Sequence, residues 1–160
     1  MSIARRQPRD RAGLPDAAAP PDLSPLDQKL GFRLRLAQQT AFEAFHRLMS
    51  PLGLTPGRMG VLLLLEANPD IRQGVLAEAL RIKPSNLTVL LAALEAEGLL
   101  RRAEEAGNRR ANLLRLTPAG RALLIRAKAA EAEVERQLTE SLTPAERAAL
   151  IDALARVAAG

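Results

Sequence analysis

Arginine is the residue type in this sequence best suited to binding another molecule, because its planar guanidinium can hold a carboxylate or phosphate through two hydrogen bonds at once. Residues 71–118 hold eight basic and five acidic side chains, and so carry +3 of the formal charge of +5. Arg109 and Arg110 stand beside Gly107 and Asn108, a pair typical of turns. This cluster indicates contact with nucleic acid, although a GC-rich genome, which favours arginine and alanine codons, explains the composition equally well.

A second group of polar side chains opens a short apolar helix. The group consists of Lys83, Ser85, Asn86 and Thr88. It surrounds Pro84, a residue favoured in the first turn of a helix. The amide of Asn86 can pair with adenine through two hydrogen bonds, so this turn is a candidate for reading bases. The other interpretation of Asn86 is a side chain that caps its own helix.

Two short helices and a hairpin are predicted to position these groups. The first helix carries Val75 to Leu80, and Arg81–Lys83 form the turn. The second helix starts at Pro84, ends at Gly98 and has an apolar face at helical spacing, made of Leu87, Leu90, Leu91 and Leu94. Residues 99–103 and 112–116 then predict a hairpin whose polar tip is 104–111. This order matches a winged helix-turn-helix, whose second helix enters the major groove while the hairpin reaches the minor groove.

The remaining segments predict more helices. An apolar stripe from Leu26 to Leu48 predicts one helix of about 25 residues. Thr55-Pro56 starts another, in which Val61–Leu65 are buried, and a strand is the competing prediction for that run. Thr117-Pro118 and a capping box at Thr143–Glu146 start the last two. The expected fold class is therefore mainly α. Residues 1–23, rich in arginine and proline, predict a disordered basic arm.

The composition also excludes several kinds of protein. The chain has no cysteine and a single histidine, His46, which excludes thiol chemistry and a cysteine zinc site. The sequence contains no catalytic triad, phosphate-binding glycine loop or metal-ligand cluster. We therefore expect that the protein is not an enzyme and that it binds no cofactor or metal ion. Apolar runs such as Val61–Leu65 are far too short to cross a membrane, and we predict no secretory signal. We therefore expect a cytoplasmic protein without a membrane partner.

The stretch from Leu54 to Leu124 resembles the MarR family (multiple antibiotic resistance regulators) of bacterial transcription factors. "LAEALRIKPSNLTVLLAALEAEGLLRR" is similar to the helix-turn-helix of that family, and "NRRANLLRLTPAGRALL" to its wing and the following helix. The resemblance implies one domain over residues 24–160, in which 54–118 form the winged helix-turn-helix. It also implies that 24–50 and 118–160 supply the helices of a homodimer.

The resemblance further implies a DNA-binding site. The groove-reading turn would run from Lys83 to Val89, and Asn108, Arg109 and Arg110 would form the wing tip, with Arg110 entering the minor groove. The sequence departs from the family pattern in two ways. Asn108 stands where an aspartate usually orients the wing arginine, and Val89 and Ala93 stand where the family often has arginines.

A small aromatic or anionic effector is a second partner implied by the resemblance, bound in a cleft between the dimer helices and the DNA-binding lobe. The residues expected near that cleft are Phe42, Phe45, His46, Met49, Arg58 and Met59. The other interpretation of the phenylalanines and methionines is that they belong to the core.

The function expected from the sequence is that of a ligand-responsive transcriptional repressor. It would bind a pseudo-palindromic duplex as a homodimer. The weakly basic second helix motivates an alternative, a winged-helix module for dimerisation or protein interaction that has little or no DNA binding of its own.

Overall fold

The computed structural model describes residues 21–105 and 108–159, and the side chains of residues 104–112 lie outside that description. Most of the predicted arm, residues 1–20, also lies outside the described residues. The elements in chain order are α1 (Ser24–Asp27), α2 (Leu30–Met49), a short 3-10 turn (Ser50–Leu52), α3 (Pro56–Ala67), β1 (Ile71–Arg72), α4 (Gln73–Ala79), α5 (Pro84–Ala96), β2 (Leu100–Glu105), β3 (Asn108–Leu116), α6 (Pro118–Thr139) and α7 (Pro144–Ala159). The expected class, mainly α with a small hairpin, is confirmed.

The described residues divide into two units, one up to Arg35 and one from Leu36 onward. In the first unit the prediction of one helix of about 25 residues is wrong, because α1 ends at Asp27 and α2 begins at Leu30. The carbonyl of Asp27 accepts a hydrogen bond from Nε of Arg33 at 2.8 Å. A guanidinium thus takes the place of a backbone amide in the next helical turn, and the helix stops there.

The second unit holds one leucine-rich core. α3 contributes Met59, Val61, Leu62 and Leu65, which are all buried, so Val61–Leu65 form a helix and the competing strand prediction is wrong. Thr55 caps this helix, since its hydroxyl accepts a hydrogen bond from the amide of Arg58 at 3.3 Å. α5, the sheet and α6 pack on the same cluster through the buried side chains of Leu87, Leu91, Leu94, Leu100, Leu114, Leu116 and Leu124.

The two central helices and their turn follow the prediction closely. The turn is one residue longer than expected, Leu80–Lys83, and Arg81 adopts a left-handed φ of 51° within it. Gly98 terminates α5 as predicted: the last helical residue is Ala96, and Gly98 adopts a left-handed φ of 70°. The amides of Gly98 and Leu99 return to the carbonyls of Glu95 and Leu94 at 2.9 Å each, the hydrogen-bond pattern of a glycine-terminated helix.

The sheet has three antiparallel strands in the order β1-β3-β2. Sequence reasoning missed β1, which pairs Ile71 with Leu114 and Arg72 with Leu113. A strand of two residues has too short a pattern to stand out from a loop. β2 and β3 are longer than predicted and approach each other at Glu105 and Asn108, with an irregularity in register between Glu104 and Glu105.

The last two helices begin at the predicted caps. The hydroxyl of Thr117 accepts the amide hydrogen of Gly120 at 3.0 Å. Thr143 and Glu146 form the predicted reciprocal box, in which the Glu146 carboxylate accepts the Thr143 amide at 2.8 Å and the Thr143 hydroxyl accepts the Glu146 amide at 3.3 Å. The predicted end of the first of these helices near Leu142 comes three residues too late, because α6 ends at Thr139.

Within the described ranges, no single helix is long and apolar enough to cross a membrane. Residues 30–52 and 56–67, two segments bent by 70° relative to each other, together reach the length and apolar composition that a span requires. The second member of that pair is the core helix α3.

Gly120, at the start of α6, lies too close to the backbone of Leu99 to accommodate a side chain. A Cβ atom added there would lie 2.0 Å from the carbonyl oxygen of Leu99, a backbone atom that cannot move away alone. We expect Gly120→Ala to lower the free energy of unfolding by about 2 to 3 kcal/mol, as overpacking does elsewhere. Urea unfolding followed by circular dichroism measures this. Gly74→Ala is the matched control, because nothing lies within 4 Å of its Cβ, and an equal loss in both variants would contradict the clash.

Candidate nucleic-acid interface

The two faces of α5 differ sharply. Leu87, Leu91 and Leu94 lie along one face and are completely buried. The other face presents the predicted base-reading residues to solvent, since Lys83, Ser85, Asn86, Thr88 and Val89 are all exposed. The predicted outward position of these residues is confirmed, and the buried leucines determine it. Their contact with DNA stays a prediction.

Three of these residues have side chains without partners among the described residues. Lys83, Ser85 and Asn86 make no side-chain hydrogen bond or ion pair within the part of the chain that the structure describes. Lys83 occupies the N-cap position of α5, and its side chain does not cap the helix. Asn86 likewise makes no capping bond to any described residue, so its side-chain amide is available to a ligand. The amides of the first helical turn also lack partners inside the helix, as in every α-helix, and they favour an anion such as phosphate.

Thr88 differs from its neighbours because it belongs to a polar network. Its hydroxyl donates to the backbone carbonyl of Pro84 at 2.9 Å and accepts from the side-chain amide nitrogen of Gln73 at 2.8 Å. The side-chain oxygen of Gln73 accepts from Arg102 at 3.1 Å, and Arg102 also donates to the Glu95 carboxylate at 3.0 Å. The network joins α4, α5 and β2, so the structure shows Thr88 holding the helix pair against the hairpin.

The hairpin places the predicted wing residues at the start of β3. Asn108, Arg109 and Arg110 form the first residues of that strand, while their side chains lie outside the described residues. At the base of the hairpin, Arg101 lies opposite Arg115 in the ladder. Arg115 donates to Asp70 from Nη2 at 2.5 Å and also from Nε.

A cavity of about 480 Å³ lies beside this base and was not anticipated from the sequence. Its walls include Leu65 in the last turn of α3 and Pro69 just beyond that helix. Three arginines, Arg101, Arg115 and Arg121, also line it. Glu66 also lines it and pairs with Lys128. The spacing of the arginines in the sequence gives no sign of this grouping, because the strand register brings Arg101 and Arg115 together.

Comparison with known proteins identifies the family. The MarR family model matches residues 52–111. The transcriptional repressor CouR, solved bound to a 23-mer DNA duplex, is 40% identical, with a TM-score of 0.84 over 88% of this chain and 99% of that chain. This chain belongs to the MarR family. CouR bound to p-coumaroyl-CoA is 42% identical, with a TM-score of 0.75 over 85% of this chain and 94% of that chain.

A curated relative agrees with this assignment. A putative transcriptional regulatory protein for the hcr operon of Thauera aromatica is 36% identical over 99 residues, which are 61% of this chain. The match spans 60% of the length of that regulator. The MarR resemblance inferred from the sequence is thus confirmed, and the family and the relatives named here are transcriptional regulators.

The six residues predicted near an effector cleft of this MarR-family chain have different environments. Met49 and Met59 are buried in the core, and Phe45 packs against it. Arg58 is partly buried and pairs with Glu97 across the end of α5, and its Nε is buried without a hydrogen bond among the described residues. Phe42 is exposed, as is His46, whose Nδ1 lies 3.1 Å from the hydroxyl of Ser50. Their role in binding an effector stays a prediction.

The ion pair between Asp70 and Arg115 at the base of the hairpin makes the stability of the protein depend on pH. The hydrogen bonds from Arg115 lower the pKa of the Asp70 carboxyl below its ordinary value, and the charges of Arg115 and Arg101 lower it further. A lowered pKa in the folded state stabilises the protein above the unfolded value, near pH 4, and this stabilisation is lost as the pH falls through the folded value.

Asp70→Asn tests the contribution of this ion pair to stability. Asparagine tolerates the left-handed φ of 66° at this position but cannot form the ion pair. We expect the variant to have a lower melting temperature than the wild type at pH 7, and the difference to shrink as the pH falls below about 4. Differential scanning calorimetry from pH 7 to 2 measures it. A difference that stays constant over this range would contradict the ionic contribution of Asp70.

Proposed function

We propose that this protein is a sequence-specific, ligand-responsive transcriptional repressor that binds a pseudo-palindromic DNA duplex as a homodimer. The observation that carries the proposal is the exposed face of α5, whose polar side chains at Lys83, Ser85 and Asn86 have no partners within the described chain. This face precedes a hairpin rich in arginine, in a chain similar to a repressor solved on duplex DNA. A helix of this kind fits the major groove, and the wing fits beside it.

The homodimer is supported by the exposed apolar side chains of α7. Leu150, Ile151, Leu154 and Val157 are each 40% or more exposed on this one helix. Such a stripe on a terminal helix is typical of a surface covered by a second subunit. A two-fold dimer would present two copies of α5 to half-sites about 10 base pairs apart.

The effector is proposed to be an anionic aromatic compound or an acyl-CoA thioester. CouR binds p-coumaroyl-CoA, and Arg101 and Arg121 in the cavity beside the hairpin offer guanidinium groups for the phosphates of such a molecule. Arg115, the third arginine of that cavity, is already paired with Asp70. Phe42, Phe45, His46, Met49, Arg58 and Met59 remain the proposed neighbours of its acyl part. We propose that the protein acts in the cytoplasm, where the bacterial chromosome lies, and that it has no catalytic role.

Fluorescence anisotropy tests the proposal. The purified protein is titrated into the DNA upstream of its own gene and into a scrambled duplex, each at several salt concentrations. We expect two protomers per site, preference for the native duplex, a steep salt dependence and release by p-coumaroyl-CoA. Equal weak binding to both duplexes would overturn the proposal and favour a winged-helix module that interacts with protein partners.

Arg110 is proposed to contact the minor groove or its phosphates. Arg110→Ala is expected to weaken binding to most sequences and to lower the slope of log affinity against log salt concentration by about one unit, since one fewer counterion is released. Arg126→Ala removes the same charge from the exposed surface of α6 and serves as the control. An unchanged slope in the Arg110 variant would remove this residue from the site.

Asn86 is proposed to read one base. We expect Asn86→Ala to reduce discrimination at a single base position by about 1 to 3 kcal/mol, because a bidentate amide contact to adenine is lost. Titrations against all four bases at each position of the half-site measure this. Equal losses on specific and random DNA would show that Asn86 contacts only the backbone.

A further inference from the structure

The face of α5 that points away from the core carries no charge. Between Pro84 and Leu94 the helix contains no Lys, Arg, Asp or Glu, and its first charged residue is Glu95. Arginine and lysine side chains make the commonest specific contacts in the major groove, with guanine. A helix without them must recognise bases in another way.

The geometry of the helix identifies the residue at the centre of this face. Successive residues turn by about 100°, so the buried Leu87, Leu91 and Leu94 define the core side. Val89 lies almost opposite their mean direction and is 72% exposed, the largest exposed fraction among the large apolar residues that the structure describes. It follows Ser85 by one turn and precedes the exposed Ala92 and Ala93.

The surroundings of Val89 do not resemble an interface between proteins. Its neighbours on the helix surface are the short side chains of Ser85, Asn86, Ala92 and Ala93, so it is a single small apolar group on a smooth, narrow ridge. Protein interfaces instead concentrate larger apolar and aromatic side chains at their centre. A ridge of small side chains lets the helix backbone approach the floor of a groove closely.

The adjoining charge indicates that the partner of this ridge is a nucleic-acid duplex. Lys83 lies at the start of the same helix, and the basic hairpin follows its end, so residues 71–118 carry +3 around this uncharged ridge. This pattern complements duplex DNA, in which phosphates border a groove floor of base edges. The apolar group that the base edges present in the major groove is the C5-methyl of thymine.

We propose that Val89 reads thymine, by packing its two methyl groups against the C5-methyl of a thymine in each half-site. Resting on the proposed function, the proposal names the base and the chemical group that the centre of α5 recognises. Specificity there comes from apolar contact, while Lys83 and the hairpin arginines supply the electrostatic attraction. Asn86, three residues before Val89 on the same helix, reads a neighbouring base by hydrogen bonds.

Replacing thymine by deoxyuridine tests the contact directly, because uracil lacks the methyl group and keeps every hydrogen-bonding group of the base. An operator is first selected from a random duplex library with the full-length protein. Each thymine of the selected duplex is then replaced in turn. We expect one symmetric pair of positions at which the replacement weakens binding about four-fold per half-site, the equivalent of one buried methylene group.

Variants connect this loss to Val89. Val89→Ala is expected to bind the thymine and uracil duplexes with nearly equal affinity at that position, since the methyl contact is already lost. Val89→Thr keeps the shape but replaces one methyl group by a hydroxyl, and is expected to show an intermediate ratio. Val75→Ala removes the same two methyl groups from a valine that is 53% exposed on α4 and is expected to keep the wild-type ratio.

The outcomes separate this proposal from the proposed function. A selected operator in which uracil replaces every thymine without loss, or a thymine-to-uracil ratio that Val89→Ala leaves unchanged, would overturn the reading of thymine by Val89 while the repressor function stands. A selection that yields no preferred sequence would overturn both.

Discussion

The burial of one leucine face of α5 is the constraint on which the rest of the DNA-binding unit depends. Leu87, Leu91 and Leu94 are completely buried, and each contributes about 1.5 to 3 kcal/mol through removal of its side chain from water. These three contacts determine the rotation of the helix about its axis. A rotation large enough to bury Val89 would expose this leucine face, so the outward ridge is a direct consequence of the core.

Polar contacts around this core orient its elements. Gln73 and Arg102 join α4 and α5 to the hairpin, Arg58 pairs with Glu97 between α3 and the end of α5, and Arg115 pairs with Asp70 beside β1. The two ion pairs contribute little to stability, because the carboxylates of Glu97 and Asp70 remain partly open to water and salt, which screen them. Their position between elements is more informative than their energy, since each joins a helix or loop to its neighbour at the rim of the core.

The distribution of charge separates two tasks within the proposed interface. The basic side chains lie at the start of α5 and along the hairpin, where they attract phosphate without distinguishing sequences. The centre of α5 carries serine, asparagine, valine and alanine, side chains that we propose distinguish bases by hydrogen bonds and by apolar contact. The strands of the same hairpin also line the arginine cavity, so an anion bound there and a DNA duplex would act on one common element.

Local patterns in the sequence were sufficient to predict much of this arrangement. The caps at Thr55 and Thr117, the glycine end of α5 and the leucine face at helical spacing depend on contacts between residues close in the chain, so the sequence determined them by itself. The tertiary structure alone decided the strand β1, the inclusion of Thr88 in a network with Gln73 and the meeting of three arginines in one cavity. These features depend on side chains bonding beyond their own helical turn and on strand register, which follows from packing against the shared core.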